Sequence, residues 1–254
     1  MPTWDASLYL KFGKERTQPS IDLAARIQIS EPGRIVDLGC GPGNSTEVLA
    51  QKWPNAEIVG LDNSSEMIHS ASLSFPKGKW ILSDIASWTS PEPVDLLFSN
   101  AALQWVPQHE ILFPHLMNQT YGAFAAQIPA HYDSKVNLIV QEVAMDSQWR
   151  DRMEGPRQAL IKKSPGFYYD LLQPLSSRLE MWETEYIHIM ESHQSILEWF
   201  RGTGLRPFLQ ALPEKDLQIE FEKQVLDGYC KAYPLQKDGR VLFPFRRLFF
   251  VAYK

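Results

Sequence analysis

Asp37, Gly39, Gly41, Gly43 and Asn44 stand together in DLGCGPGN, residues 37–44: an acid, then three glycines at alternate positions. The apolar run RIVDLG (34–39) before the glycines reads as a buried strand. NSTEVLAQKW (44–53) after them has helical spacing, with Asn44 or Ser45 placed to cap it and Glu47 as the far half of a capping box. A glycine-rich strand-to-helix turn lets bare backbone approach a ligand closely. The spacing here is GxGxG rather than the dinucleotide GxGxxG, and Asn44 holds the place of the late glycine. No Gly-Lys-Ser/Thr follows, which excludes a P-loop.

The acid narrows the choice of ligand. A carboxylate at the strand end repels a pyrophosphate and suits an ammonium group. S-adenosyl-L-methionine carries an amine, a cationic sulfonium and no phosphate, so Asp37 with GxGxG fits it better than a dinucleotide. Two further acids agree. Asp62 ends the next apolar run, EIVGLD (57–62), where a carboxylate can accept both ribose hydroxyls. Asp84 ends KWILSDI (79–85), where it can accept the adenine amino group. A lone strand-end Asp is more often a turn former; three at successive strand ends converge on one crevice.

The elements that must position these acids follow from the hydrophobic pattern. Strands are expected at 34–39, 57–62, 79–85, 94–100 and 123–129, with helices at 44–53, 64–75 and 109–117 between them. That alternation over residues 30–130 predicts an α/β fold, a parallel sheet with helices on both faces. Ahead of it, 7–27 reads as helix interrupted near Pro19. Beyond it come helical text at 134–146, an irregular stretch at 155–166, a helix at 166–174, a strand at 178–190, helices at 192–212 and 214–233, and a strand at 247–254.

Composition excludes several classes. The chain of 254 residues is 44% hydrophobic and 22% charged, as an ordinary globular protein is. A net charge of −5 argues against a nucleic-acid partner. Residues 195–254 hold ten Lys/Arg and seven Asp/Glu, a local excess that suits an anionic small molecule or an ordinary solvated surface. No apolar run is long enough for a bilayer, and the N-terminus has no apolar core of a secretory signal. Cys40 and Cys230 form no CxxC pair and no metal cluster, so both are expected as free thiols in the cytoplasmic compartment.

WDASLYLKFGKERTQP (4–19), DLGCGPGNST (37–46), VDLLFSNAALQWVPQH (94–109), EWFRGTGLRPFL (198–209) and RLFFVAYK (247–254) together resemble the class I S-adenosylmethionine-dependent methyltransferases. More narrowly, the chain resembles the trans-aconitate methyltransferases along nearly its whole length. The resemblance implies a Rossmann-like, seven-stranded, mostly parallel sheet whose last strand is an antiparallel insertion. It implies a single methyltransferase domain over 1–254, with a helical cap covering the substrate from 1–27 and about 145–235. It also implies methyl-ester formation on a carboxylate of a small tricarboxylate.

Carried over residue by residue, Asp37, Gly39, Gly41 and Asn44 fall in the methionine-binding turn, Asp62 at the ribose acid and Asp84 at the adenine acid with Ile85 beside it. Met67 has two readings, the adenine face or helix core. Asn100 falls near the transferable methyl. Tyr9, Phe12 and Arg16 belong either to a closing helix or to ordinary amphipathic packing. A carboxylate is already ionised at pH 7, so positioning is expected and no catalytic base. Arg206 and Arg247 are the candidate anchors for the other carboxylates, with Arg201 and Arg246 behind them. Gln104 and Trp105 are candidates to orient the acid by N–H donation, and Tyr168 to line the pocket. Neither a metal nor a membrane partner is implied.

Three stretches depart from the family pattern: NQTYGAF (118–124), QIPAHY (127–132) with Ala130 and His131, and FRRLF (245–249) with Arg246; the resemblance implies that the second borders the substrate. The rival readings are methylation of another carboxylated metabolite or of a malonyl carrier-protein thioester, and a non-catalytic S-adenosylmethionine-binding protein.

Overall fold

The computed structural model describes residues 12–130, 134–158 and 163–254. Helix α1 (Gly13–Arg26) runs through Pro19 without a break. Its buried stripe of Arg16, Pro19, Ser20, Leu23 and Ala24 has the i, i+3, i+4 spacing of a packed face, and that packing outweighs the one lost backbone donor. Strand β1 (Arg34–Leu38), α2 (Asn44–Lys52), β2 (Glu57–Asp62), α3 (Ser65–Ser74) and β3 (Lys79–Leu82) follow in strict alternation. Then come β4 (Val94–Asn100), a 3-10 turn (Leu103–Trp105), α4 (His109–Met117) and β5 (Thr120–Pro129).

The sheet has seven strands in the order β3-β2-β1-β4-β5-β7-β6, with β6 spanning Arg178–Met190 and β7 spanning Val241–Tyr253. Strands β1 to β5 pair in parallel, and β7 pairs antiparallel with β5. Chain order reverses between β1 and β4, so right-handed crossovers on either side place helices on both faces. Double-sided burial explains why β1, β4 and β5 read as almost continuous apolar runs.

Contacts divide the chain into two compact units. The first holds residues up to Pro129, Lys163–Thr184 and Arg247–Lys254. Its core joins Val36, Leu38, Leu61, Leu97, Phe124 and Phe250 of the sheet to Leu112, Phe113 and Leu116 of α4. Tyr168, on α7 (Pro165–Leu172), closes an aromatic cluster with Phe113, Phe124 and Phe250; numbering counts α5 (Lys135–Met145) and α6 (Glu154–Gln158) in the second unit. Fully burying side chains of this size gives about 2–3 kcal/mol each.

The second unit holds Ala130–Lys162 and Glu185–Arg246. It contains α5, α6, α8 (His193–Arg201), α9 (Arg206–Gln210) and α10 (Lys215–Ala232). Trp149 packs edge-on against Phe221 at 5.4 Å and donates to Gln224 at 2.8 Å. Arg201 grips Glu222 through two bonds of 2.6 and 2.8 Å, tying α8 to α10. The single helix expected over 192–212 is broken at Gly202–Leu205. Leu205 N–H turns back onto the Phe200 carbonyl, and a Cβ on Gly204 would meet the Phe200 ring at 2.6 Å. Among the described residues no helix is long and apolar enough to cross a membrane.

Candidate cofactor site at the β1/β4 reversal

Ligands of open parallel sheets bind outside the carboxyl ends of the strands, where strand order reverses. Here that place holds the 37–44 turn after β1 and Asn100 at the end of β4. Gly39 has φ +72°, and a Cβ there would lie 2.2 Å from Ala102 Cβ. Only glycine fits, because the left-handed backbone and the Ala102 methyl leave no room for a Cβ. Gly41 has φ +55° with nothing within 4 Å, so its bare backbone faces open space. The turn is tied to β2: Gly39 and Cys40 N–H donate to Leu61 O at 2.7 and 3.0 Å, and Gly41 N–H donates to Asp62 Oδ2 at 2.9 Å.

Helix α2 is not capped as its sequence suggests. Gly43, left-handed at φ 97°, is the N-cap, and no side chain caps it. The hydroxyls of Ser45 and Thr46 are used elsewhere, donating to Asp37 Oδ2 at 2.6 and 2.7 Å. Asn44 Nδ2 donates to Thr17 Oγ1 on α1 at 3.3 Å. Asp37 therefore binds the turn to α2 first, which revises the expectation that its carboxylate simply meets a ligand amine. Its other oxygen, Oδ1, is buried with no hydrogen-bond partner among the described residues.

The electrostatics favour a cation. Burial pushes the Asp37 carboxyl up to about 6 against the two hydroxyl bonds, and the Asp62 charge adds to the rise. Burial also raises Asp62, offset by N–H groups of Ser64 and Gly41. Two acids held above their ordinary values are stabilised by a positive ligand and destabilised by a phosphate. Cys40, its thiol pushed up by burial and by both acids, is an inert packing residue.

Arg16, Thr17, Gly39, Asn44 and Asn100 line a recess over the turn. Asn100 Nδ2 donates to the Arg16 carbonyl at 3.3 Å, joining β4 to α1. Ala101 follows in the left-handed region at φ 56°, held by its N–H to Gln127 O at 3.0 Å. Gln104 is buried and donates to the Ala101 carbonyl at 2.6 Å, while Trp105 is half-buried on the same 3-10 turn. Ile85 and Met67 are both buried, and Ile85 lies against the Gly39 position.

The other expected residues fall as follows. Asp84 lies two residues beyond β3, exposed, with Oδ1 accepting the Ala86 N–H at 2.9 Å, so it shapes a turn rather than ending the strand. Arg247 is buried and donates to Gln127 Oε1 at 3.1 Å. Arg206 belongs to the second unit, half-buried at the start of α9, where burial lowers the pKa of its guanidinium. Tyr168 is only 1% exposed, with its hydroxyl 3.0 Å from His109 Nδ1. It is a core residue, not a pocket liner. Tyr9 and His131 lie outside the described residues.

Ser45, Thr46, Gln127 and His109 are polar and buried here and were not among the expected site residues. Only Ser45, directly after Asn44, carried a local signal, and it reads equally as a helix cap. Among the described residues no group of His, Cys, Asp and Glu is arranged to hold a metal. The bare turn, the unpartnered Asp37 oxygen and the acidic surroundings all fit S-adenosylmethionine.

A family model described as "Methyltransferase domain" matches residues 35–119. The trans-aconitate 2-methyltransferase of Azoarcus sp. (strain BH72) is 44% identical, over 99% of both chains. Those of Rhodopseudomonas palustris (strain BisB5) and Yersinia pestis (strain Pestoides F) are 41% and 43% identical, each over 100% of this chain and 100% and 99% of their own. Among solved structures, the YcgJ protein of Bacillus subtilis aligns with TM-score 0.61 at 13% identity, over 95% of this chain and 98% of its own. Haemonchus contortus phosphoethanolamine N-methyltransferase 2, solved with S-adenosyl-L-methionine, aligns with TM-score 0.56 at 15% identity over 93% and 52%. At such identities the two structures speak for the fold alone.

Proposed function

The chain belongs to the trans-aconitate 2-methyltransferase family, and we propose on that footing that it forms a methyl ester on one carboxylate of trans-aconitate or a close polycarboxylate. It is an S-adenosylmethionine-dependent methyltransferase. The observation that carries the cofactor half is the bare Gly39–Gly41 turn beside two acids with raised pKa values. Asp37, Gly39, Gly41, Asn44 and Asp62 hold the methionine and ribose parts, and Asp84, Ile85 and Met67 border the base. When bound, the cofactor supplies a methyl group on a cationic sulfur.

The chain's own task is then positioning. The acid is ionised at pH 7, with an ordinary carboxyl pKa near about 4, so no base is needed to generate the nucleophile. Asn100 and Arg16 close the recess at the end of β4. Gln104, Trp105 and Arg247 orient the acid, and Arg206 is a further cationic anchor. The reading places the enzyme in the cytoplasm, acting on a small anion.

The test is incubation with S-adenosylmethionine and a panel of trans-aconitate, cis-aconitate, isocitrate, itaconate and malonyl carrier protein. S-adenosylhomocysteine release and mass spectrometry of the ester are the readouts. Trans-aconitate should be turned over best. Arg206→Ala should lose about tenfold or more in kcat/KM with cofactor affinity unchanged, as for one charge-assisted bond. Turnover of carrier protein alone, or none on any acid, would overturn the reading.

A further inference from the structure

Three amide atoms around the carboxyl ends of β4 and β5 are buried without a partner among the described residues: Asn100 Oδ1, Gln104 Oε1 and Gln127 Nε2. Gln127 is fully buried, next to last but one in β5, and pairs in parallel register with Asn100. Registered residues share a face of the sheet, so the two amides stand side by side at the strand ends. They do not satisfy one another, since each keeps an unused atom.

The orientation of the Gln127 amide is fixed by chemistry. Its oxygen accepts from Arg247 Nη1 at 3.1 Å, and a guanidinium has only donors. The flipped amide would set N–H against N–H, so the oxygen must face Arg247 and the NH₂ must face away. Its backbone carbonyl is also engaged, by the N–H of left-handed Ala101. A guanidinium bonded to the amide oxygen polarises the amide and strengthens its remaining N–H donors. A sealed donor with no acceptor is costly in a folded chain, so it calls for a partner, and a bound anion supplies one.

We infer that Gln127 is a specificity-determining residue for the acid. With Oε1 committed to Arg247, its Nε2–H donates to a carboxylate of the substrate other than the one methylated. The inference rests on the proposed carboxyl methylation and deepens it. It assigns β5 an anion-facing donor beside an acceptor, Asn100 Oδ1, on β4.

Two near-isosteric variants separate this role from mere support of Arg247. Gln127→Glu keeps an acceptor for Arg247 and replaces the donor with a negative oxygen. Gln127→Met removes both. If Gln127 only held Arg247, the Glu variant would be the milder. On the inference it is the more severe, losing about a hundredfold in kcat/KM for trans-aconitate against about tenfold for Met, mostly through KM. S-adenosylhomocysteine affinity, measured by calorimetry, should stay within about twofold of wild type in both. Should the Glu variant not fold, Gln127→Met decides alone: its loss must be larger for trans-aconitate than for the monocarboxylate crotonate. A Glu variant milder than Met, or equal losses on the two acids, overturns the inference. Wild-type enzyme that methylates no acid would instead overturn the proposed function, so the two failures are distinguishable.

Discussion

Replacing Gly39 with Ala gives a prediction whose size comes from two separable causes. Gly39 sits at φ +72°, and the added methyl would lie 2.2 Å from Ala102 Cβ. Apolar carbons are at ease at about 3.5–4.0 Å, so the turn after β1 and the residues after β4 must part by well over an ångström. The left-handed conformation costs an Ala about 1–2 kcal/mol. Overpacking a fixed contact costs about 1–3 kcal/mol more. Gly39→Ala should therefore destabilise by about 2–5 kcal/mol in urea unfolding, with cofactor affinity falling as the turn moves. Ala102→Gly alone should cost about 1 kcal/mol through backbone freedom. The double variant should be about 1–3 kcal/mol more stable than the two single losses added together, because the clash is gone while the dihedral and glycine penalties remain. Strict additivity of the two single changes, within about 0.5 kcal/mol, would refute the contact argument.

Other consequences can be measured the same way. The Asp37 carboxyl is held up at about 6, so the native state keeps this proton more tightly than the unfolded chain does. The stability it contributes is complete below the ordinary carboxyl value of 3.8 and lost as pH rises through about 6. Asp37→Asn should thus gain about 3 kcal/mol on wild type between pH 3 and pH 7 in urea unfolding without ligand; a pH-independent difference would count against this. Tyr168→Phe removes the hydroxyl bonded to His109, costing about 1–2 kcal/mol of stability, while KM for the acid and cofactor affinity stay within about twofold. A KM effect would return Tyr168 to the pocket. Arg201→Lys, which cannot keep both bonds to Glu222, should cost about 0.5–1 kcal/mol in unfolding, discounted for its partial exposure.

The cofactor half of the fold was legible because its signals are local. Each parallel strand is a short apolar run closed by a turn residue, and the glycine turn carries its ligand chemistry within eight residues. What escaped depended on partners distant in sequence. Gln127 meets Arg247 across 120 positions, and His109 meets Tyr168 across 59. No window of pattern reading contains either pair. Ser45 reads as a cap candidate from sequence, because a cap and a buried carboxylate ask for the same hydroxyl, and Thr46 carries no signal of its own. Asp84 was placed at a strand end because it follows an apolar run; β3 stops at Leu82 once its parallel pairing with β2 ends at Asp62. The place of β7 inside the sheet followed from family resemblance alone, since composition carries no strand order.

Strand β7 comes after β6 in the chain yet sits between β5 and β6 in the sheet. During synthesis, β5 is therefore an open edge for the time needed to make more than a hundred residues. Neither β6 nor its share of the core can join the growing sheet until β7 has emerged to bridge them. Completion of the sheet is a late event with long loop closure, and nascent chains carry a raw apolar edge that invites pairing with neighbours. Trimming the segment that holds Phe249, Phe250 and Val251 would remove the strand that joins β6 to β5, leaving the apolar β5 edge open, so that chain-terminating lesions there should yield aggregate rather than a frayed end.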